Sequence, residues 1–303
     1  MVYTLSMAAD LILLITALIW GFAFVAQRTG MSYMGPFTFN AVRFLVGSLT
    51  LFSVAMIFKE KLLQPIKPQK GSWRGALLTG LVLFTAASLQ QAGLVGTTAG
   101  KAGFITGLYV VFVPILGLLV GKLTSWFNWA GAILAVIGLF FLSIRMDLTI
   151  ASSDLIVLLG AVIWAVHVHL IGYYSPRIGA VRLAITQFMV CGVLSFFSAL
   201  LIESPSIVEI RNGWISLAYG AFLSVGLAYT LQVVAQQKAD PSHAAIILSL
   251  ESLFAAIGGW WILGERLDAR GMLGASLMLA GMLISQMSKP LKARTRIKNS
   301  PKI

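Results

Sequence analysis

Apolar stretches of about 20 residues recur along nearly the whole chain, each long enough to cross a hydrocarbon layer roughly 30 Å thick. Lipid offers no partner to a backbone N–H or C=O, so such stretches must satisfy their own backbone as α-helices. A β-barrel would instead show alternating segments of about ten residues. Ten spans fit, near residues 8–26, 37–58, 73–95, 99–121 and 127–144, then 154–173, 181–202, 213–236, 243–263 and 271–288. The connections are short and polar, as in Lys59–Lys70 with Pro65 and Pro68, and leave no room for an inserted soluble domain. With 58% hydrophobic and 11% charged residues, against about 25% charged in soluble proteins, the expected fold is an all-α polytopic membrane bundle.

The net charge of +12 does not point to nucleic acid, because the basic residues sit in short connections and in the tail from Lys289 to Ile303 rather than on one basic face. It points to orientation. With the first residue inside, cytoplasmic segments hold fifteen Lys and Arg and outer segments six, with Arg43 left within a span. That bias places both termini, and the basic tail, on the cytoplasmic side of a bacterial inner membrane. Ala23 and Ala26 resemble a signal cleavage region, but no Lys or Arg precedes the first span, which is therefore read as a retained helix. Cys191 is the only cysteine and lies in an apolar segment, so no disulfide framework, cysteine-based metal site or cofactor is expected.

The chain repeats itself. Asp10 to Trp20 aligns without a gap on Asp154 to Trp164 and agrees at seven of eleven positions, including the Asp and Trp at the two ends. A second alignment sets Ala102 on Ala245 and superposes Gly121 on Gly264, Gly131 on Gly274 and Gly138 on Gly281. The two offsets, 144 and 143, nearly agree, which defines halves at 8–144 and 154–288. Five spans per half is an odd number, so the halves must lie upside down relative to each other, the inverted-repeat plan of secondary transporters.

Gly264-Glu265-Arg266-Leu267 follows Leu250-Glu251-Ser252-Leu253-Phe254-Ala255-Ala256 and precedes Gly274 and Gly281. In the first half, Thr97-Thr98-Ala99-Gly100-Lys101-Ala102-Gly103-Phe104 leads into the fourth span, and Trp20-Gly21 lies towards the end of the first. This pattern, over about residues 10–288, resembles the EamA-type branch of the drug/metabolite transporter superfamily. The resemblance implies ten helices, a central cavity between the halves, and export or exchange of amino acids or related metabolites. Ser252 stands where the family often has Pro, and Lys122 where the first half often has Glu.

Candidate site residues are the polar and aromatic side chains within spans. Arg43, mid-span and costly at about 2.5–3.5 kcal/mol, is either an anion or carboxylate site or a clamp on helix-end carbonyls. Glu251, central in the ninth span, is either a carboxyl that picks up a proton on one side and releases it on the other, or a hydrogen-bonded pin. Lys101, at a helix start among Thr97, Thr98, Gly100 and Gly103, either receives a substrate carboxylate or snorkels to the interface. Trp164 and His167 share a helix face that His169 does not, so His167 is chosen to line the cavity with Trp164, and Trp20 is the symmetric wall. Gln90, Gln91, Gln232 and Gln236 lie in equivalent spans of the two halves, and Tyr109 and Tyr229 are candidates of the same rank. Amides there either read a zwitterionic substrate or join helices. Glycines such as Gly117, Gly131 and Gly138 serve packing.

No His-Glu-x-x-His, phosphate loop or nucleophile elbow occurs, which argues against an enzyme. A channel would ordinarily build its pore by oligomerisation. Inverted repeats instead put one site between two halves of a single chain. The expectation is thus an alternating-access carrier, with a midplane site lined by spans 1, 3, 4, 6, 8 and 9, for a small anionic or zwitterionic metabolite, with a proton as coupling ion.

Overall fold

The computed structural model describes residues 2–57, 73–119, 125–143 and 151–287. Gly121, Lys122, Arg145, the second connection with its lysines and the basic tail lie outside the described residues. Ten helical segments correspond to the spans: α1 (Val2–Gly30), α2 (Pro36–Ile57), α3 (Trp73–Gly93), α4 (Ala99–Leu119), α5 (Trp126–Ser143), α6 (Ser152–Ile178), α7 (Ala180–Ile202), α8 (Trp214–Ala235), α9 (Pro241–Leu263) and α10 (Ala269–Gln286). A short helix, Ile207–Asn212, precedes α8. Eight of the ten are long and apolar enough to cross a membrane, while α5 and α10 are 18 residues each.

The helices alternate in direction, so α1 and α6 run oppositely and the second half is inverted on the first. The packing follows a pseudo-two-fold exchange: α1 lies on α8 as α6 lies on α3, and α1 lies on α9 as α6 lies on α4. On the axis, α2 pairs with α7 and α5 with α10. Large apolar side chains such as Leu11, Phe52, Leu201 and Trp261 face outward, where lipid replaces water as their surroundings. Lipid tails are as apolar as these side chains, so burial does not drive helix association; close packing does. Between α5 and α10 a methyl added at Gly138 would lie 2.6 Å from the Gly274 carbonyl oxygen, and one at Gly281 would lie 2.6 Å from that of Gly131. The glycine register read from the repeat is therefore a reciprocal backbone contact.

Two spans expected as continuous helices are broken at equivalent places. The first winding of α4 ends at Gly107 and a second begins at Tyr109. In α9 the first ends at Leu248 and the second begins at Glu251. In α4, Pro114 lacks an N–H to donate to Val110 and its ring crowds that carbonyl, which loosens the turn after the break. There is no proline at the break in α9. Instead, the Ser249 hydroxyl donates to Ile246 O (2.7 Å), and that of Ser252 donates across to Gly103 O of α4 (2.8 Å).

The membrane face at which α1 ends is bound together by carboxylates. Glu203, following α7, accepts from Phe37 N and Thr38 N (2.8 Å each) and from the Thr38 hydroxyl (2.6 Å), occupying the exposed N–H groups at the start of α2. Glu265, following α9, does the same for α4, accepting from Ala99 N (2.7 Å) and Gly100 N (3.0 Å). A negative group at a helix start also meets the positive end of the helix dipole. Replacing Glu203 by Ala leaves three donors without their acceptor, so unfolding free energy in mixed micelles is expected to fall by about 2–4 kcal/mol, with Gln restoring part of it. An unchanged denaturation midpoint for Glu203→Ala would contradict this role.

Candidate substrate site

The breaks in α4 and α9 meet at a narrow central cavity. Its lining comes from six helices: Trp20, Phe24 and Gln27 of α1, Gln90 of α3, Thr106 and Tyr109 of α4, Trp164 and Val168 of α6, Ser224, Tyr229 and Gln232 of α8, and Leu248 and Glu251 of α9. About 30 Å³ is open to the centre of a water molecule, room for only about two or three waters. That volume is too small for a molecule of amino-acid size.

Tyr229 is the centre of the aromatic lining. Its ring centroid lies 4.5 Å from that of Trp20 and 6.0 Å from that of Trp164, with Phe44 and Phe188 behind it at 5.9 Å each. The two tryptophans matched by the repeat thus face one tyrosine, although they are bonded differently. Trp164 Nε1 donates to Gln90 Oε1 (2.7 Å), and Gln90 Nε2 donates to Gln27 Oε1 (3.1 Å). Trp20 Nε1 donates instead to the backbone carbonyl of Ser224 (3.4 Å). That carbonyl lies within a π-helical stretch of α8, Tyr219–Tyr229, which the Tyr219 hydroxyl ties to Ile19 O (2.9 Å). π-helical winding often accompanies functional positions. It also sets Ser224 and Tyr229, five residues apart, on one face.

Arg43, Lys101 and His167 fall outside this lining, as do two of the candidate amides, Gln91 and Gln236. Arg43 is fully buried between α2 and α8, its stem 3.4 Å from where a methyl on Gly220 would be. Its Nε donates to Asn40 Oδ1 (2.9 Å), and its guanidinium carbon stands 4.8 Å and 5.4 Å from the ring centroids of Phe44 and Phe39. Stacking and one hydrogen bond hold the cation away from the cavity. Lys101 pairs with Asp154 (Nζ to Oδ2, 2.6 Å), whose other oxygen accepts from the Thr97 hydroxyl (3.0 Å). With Arg28 they border a separate recess of about 300 Å³ at the face where α4 begins. On α6 the cavity takes Val168, four residues after Trp164, while His167 turns to Gln187 (Nε2 to Oε1, 2.9 Å) and only edges onto the Trp164 ring. Among the amides, Gln91 Nε2 donates to Gln27 O (3.3 Å) and Gln236 Nε2 to Val168 O (3.2 Å), joining helices rather than lining the cavity.

Asp154 has a counterpart. Asp10, its repeat partner, contacts His243 (Oδ1 to Nε2, 2.7 Å) at the face where α1 begins. Lys101 and His243 each stand three residues after the side chain that caps their helix, Thr98 in α4 and Asp240 in α9. Each face of the bundle thus carries one symmetry-related acid–base contact.

Gln27, Thr106 and Ser224 belong to the lining but were not singled out from sequence. Gln27 follows Trp20 by seven residues and Thr106 precedes Tyr109 by three, helical spacings that carried the signal; Ser224 becomes a neighbour of Tyr229 only through π winding. Among the described residues no group of three His, Cys, Asp or Glu side chains could hold a metal ion.

An inverted bundle with broken helices around a midplane cavity defines a polytopic membrane transporter. A model of the EamA-like transporter family matches the chain twice, over residues 7–144 and 151–287, and the chain belongs to that family. It is 32% identical to an uncharacterized transporter of Archaeoglobus fulgidus, over 91% of this chain and 85% of that protein. It is 25% identical to a protein of Salmonella typhimurium named a probable amino-acid metabolite efflux pump, over 94% and 96% of the two chains. A solved crystal structure with 17% identity shares the fold with a TM-score of 0.72, covering 92% of this chain and 96% of the other.

Substituting Gln90 by Leu leaves the Trp164 N–H and the Gln27 carbonyl without partners. At about 0.6 kcal/mol for a typical bond between membrane helices, and more where a group is stranded, a loss of about 1–2 kcal/mol in unfolding free energy is expected. Equal stability of Gln90→Leu and the native chain in mixed micelles would show that this chain of amides contributes nothing.

Proposed function

We propose that the protein is a secondary carrier which moves small metabolites, amino acids among them, by alternating access of the central cavity to the two faces of a bacterial inner membrane, with both termini in the cytoplasm. The observation that carries this proposal is the cavity itself: six helices from both inverted halves converge on it, two of them broken there, and its volume is too small to be a standing pore. The Lys101–Asp154 and Asp10–His243 contacts stand where gates on the two faces would close. The distribution of Lys and Arg supports the orientation, and the name of the Salmonella typhimurium relative supports the substrate class. Glu251, buried in the lining at the start of a half-helix, is the group at which a proton and the substrate alternate.

Reconstituted in liposomes, the protein is expected to give concentration-saturable uptake and counterflow, which a channel does not show. An imposed pH gradient should drive accumulation, and Glu251→Gln should abolish that response. Gradient-driven flux that survives in Glu251→Gln would remove the coupling role, and uptake rising linearly with concentration would remove the carrier.

A further inference from the structure

Polar groups of the cavity wall are not equally occupied. On the α3–α6 side the amides close on one another, Trp164 donating to Gln90 and Gln90 to Gln27. On the other side Gln232 Oε1 and Thr106 Oγ1 are buried in the lining and have no hydrogen-bond partner among the described residues. Both side chains are at most 2% exposed. Glu251, 4% exposed, adds a carboxyl to the same lining. Three helices, α4, α8 and α9, therefore each contribute oxygen to one cavity. An amide oxygen and a carboxylate only accept hydrogen bonds, and a threonine hydroxyl can accept as well. The Tyr109 hydroxyl of the same lining can donate to one of them, but none of the donors in the lining carries a positive charge. No Lys, Arg or His belongs to the lining: Lys101 pairs with Asp154, and Arg43 lies behind the aromatic wall on Asn40, with Nη2 left unpartnered among the described residues. Around these oxygens stand the rings of Trp20, Tyr109, Trp164 and Tyr229, whose faces attract a cation, all the more in a desolvated setting.

We infer that the site recognises a primary ammonium group, held by Thr106 Oγ1, Gln232 Oε1 and the Glu251 carboxyl within the aromatic walls, and that a substrate carboxylate is not required. An ammonium brings three N–H donors to three oxygens and a positive charge to the one acid. A carboxylate would bring further acceptors and a charge of the wrong sign. The inference rests on the carrier reading and narrows its substrates to amine-bearing metabolites, with or without the carboxylate of an amino acid.

The test compares probes that share a side chain. Purified full-length protein is heated with isoamylamine, L-leucine, N-acetyl-L-leucine and 4-methylpentanoate, and with the corresponding phenethyl and ethyl sets. Only the members with a free amine are expected to raise the melting temperature saturably, since a ligand that binds only the folded state stabilises it. Against the best amine, Thr106→Val and Gln232→Leu should each weaken apparent affinity about tenfold, the value of one lost hydrogen bond to a charged group, while Thr106→Ser keeps it. Melting temperatures without ligand separate a weakened site from a weakened fold. Equal stabilisation by the N-acetyl or des-amino acids, no stabilisation by any amine, or undiminished affinity in both oxygen-removing variants overturns the inference. If it falls, saturable counterflow of another metabolite in the same preparation leaves the carrier standing, and the absence of any saturable flux ends both.

Discussion

A helix that starts, stops or breaks inside a bundle within lipid has no water to satisfy the backbone groups it exposes, and most of what distinguishes this molecule answers that constraint. At the face where α1 ends, carboxylates solve it: Glu203 and Glu265 each reach from the end of one helix to the free N–H groups at the start of another. Midway through the membrane, serine hydroxyls take part: Ser249 takes up the Ile246 carbonyl at the break in α9, and Ser252 takes up the Gly103 carbonyl of α4. The helices are thus joined near the places where their backbones are incomplete, α9 to α4 by the Ser252 hydroxyl and by Glu265.

The two halves are alike in plan and unequal in detail, and the inequality lies at the cavity. Trp20 and Trp164 occupy matched positions, yet one bonds a side-chain amide and the other a backbone carbonyl within the π stretch of α8. The regular α3 carries Gln90 into a closed chain of amides. The wider winding of α8 brings Ser224 O to Trp20 and leaves Gln232 to the cavity. Symmetry builds the chamber, and its two walls differ in which of their polar groups are bonded. The acid–base contacts at the two faces also differ, with lysine in one and histidine in the other.

The architecture was legible because it rests on quantities a sequence states openly: the length of apolar segments, their number, and the repeated Asp and Trp that align the halves. Glycines such as Gly131 and Gly138 marked close backbone approach for the same reason, since it requires a particular residue at a particular spacing, although the partner helix, α10, came only from the structure. Repeat symmetry also led to Trp20 and Trp164. The fate of individual polar side chains was less legible, because it depends on the neighbour across the interface. Arg43 looks from its span like an anion site, but Asn40, two phenylalanines and the space beside Gly220 claim it. His167 shares a face with Trp164 within its helix, yet Gln187 of α7 decides where it turns. The breaks had only Pro114 as a local sign, and Ser249–Leu250 had none.

The reciprocal contact of Gly138 and Gly281 has a mechanical consequence. Any side chain added at these glycines would force α5 and α10 apart, since backbone and the buried Met278 and Ala135 already fill the space beside them. On the alternating-access reading proposed above, this pair is the seam that stays fixed while the helices that carry breaks are displaced.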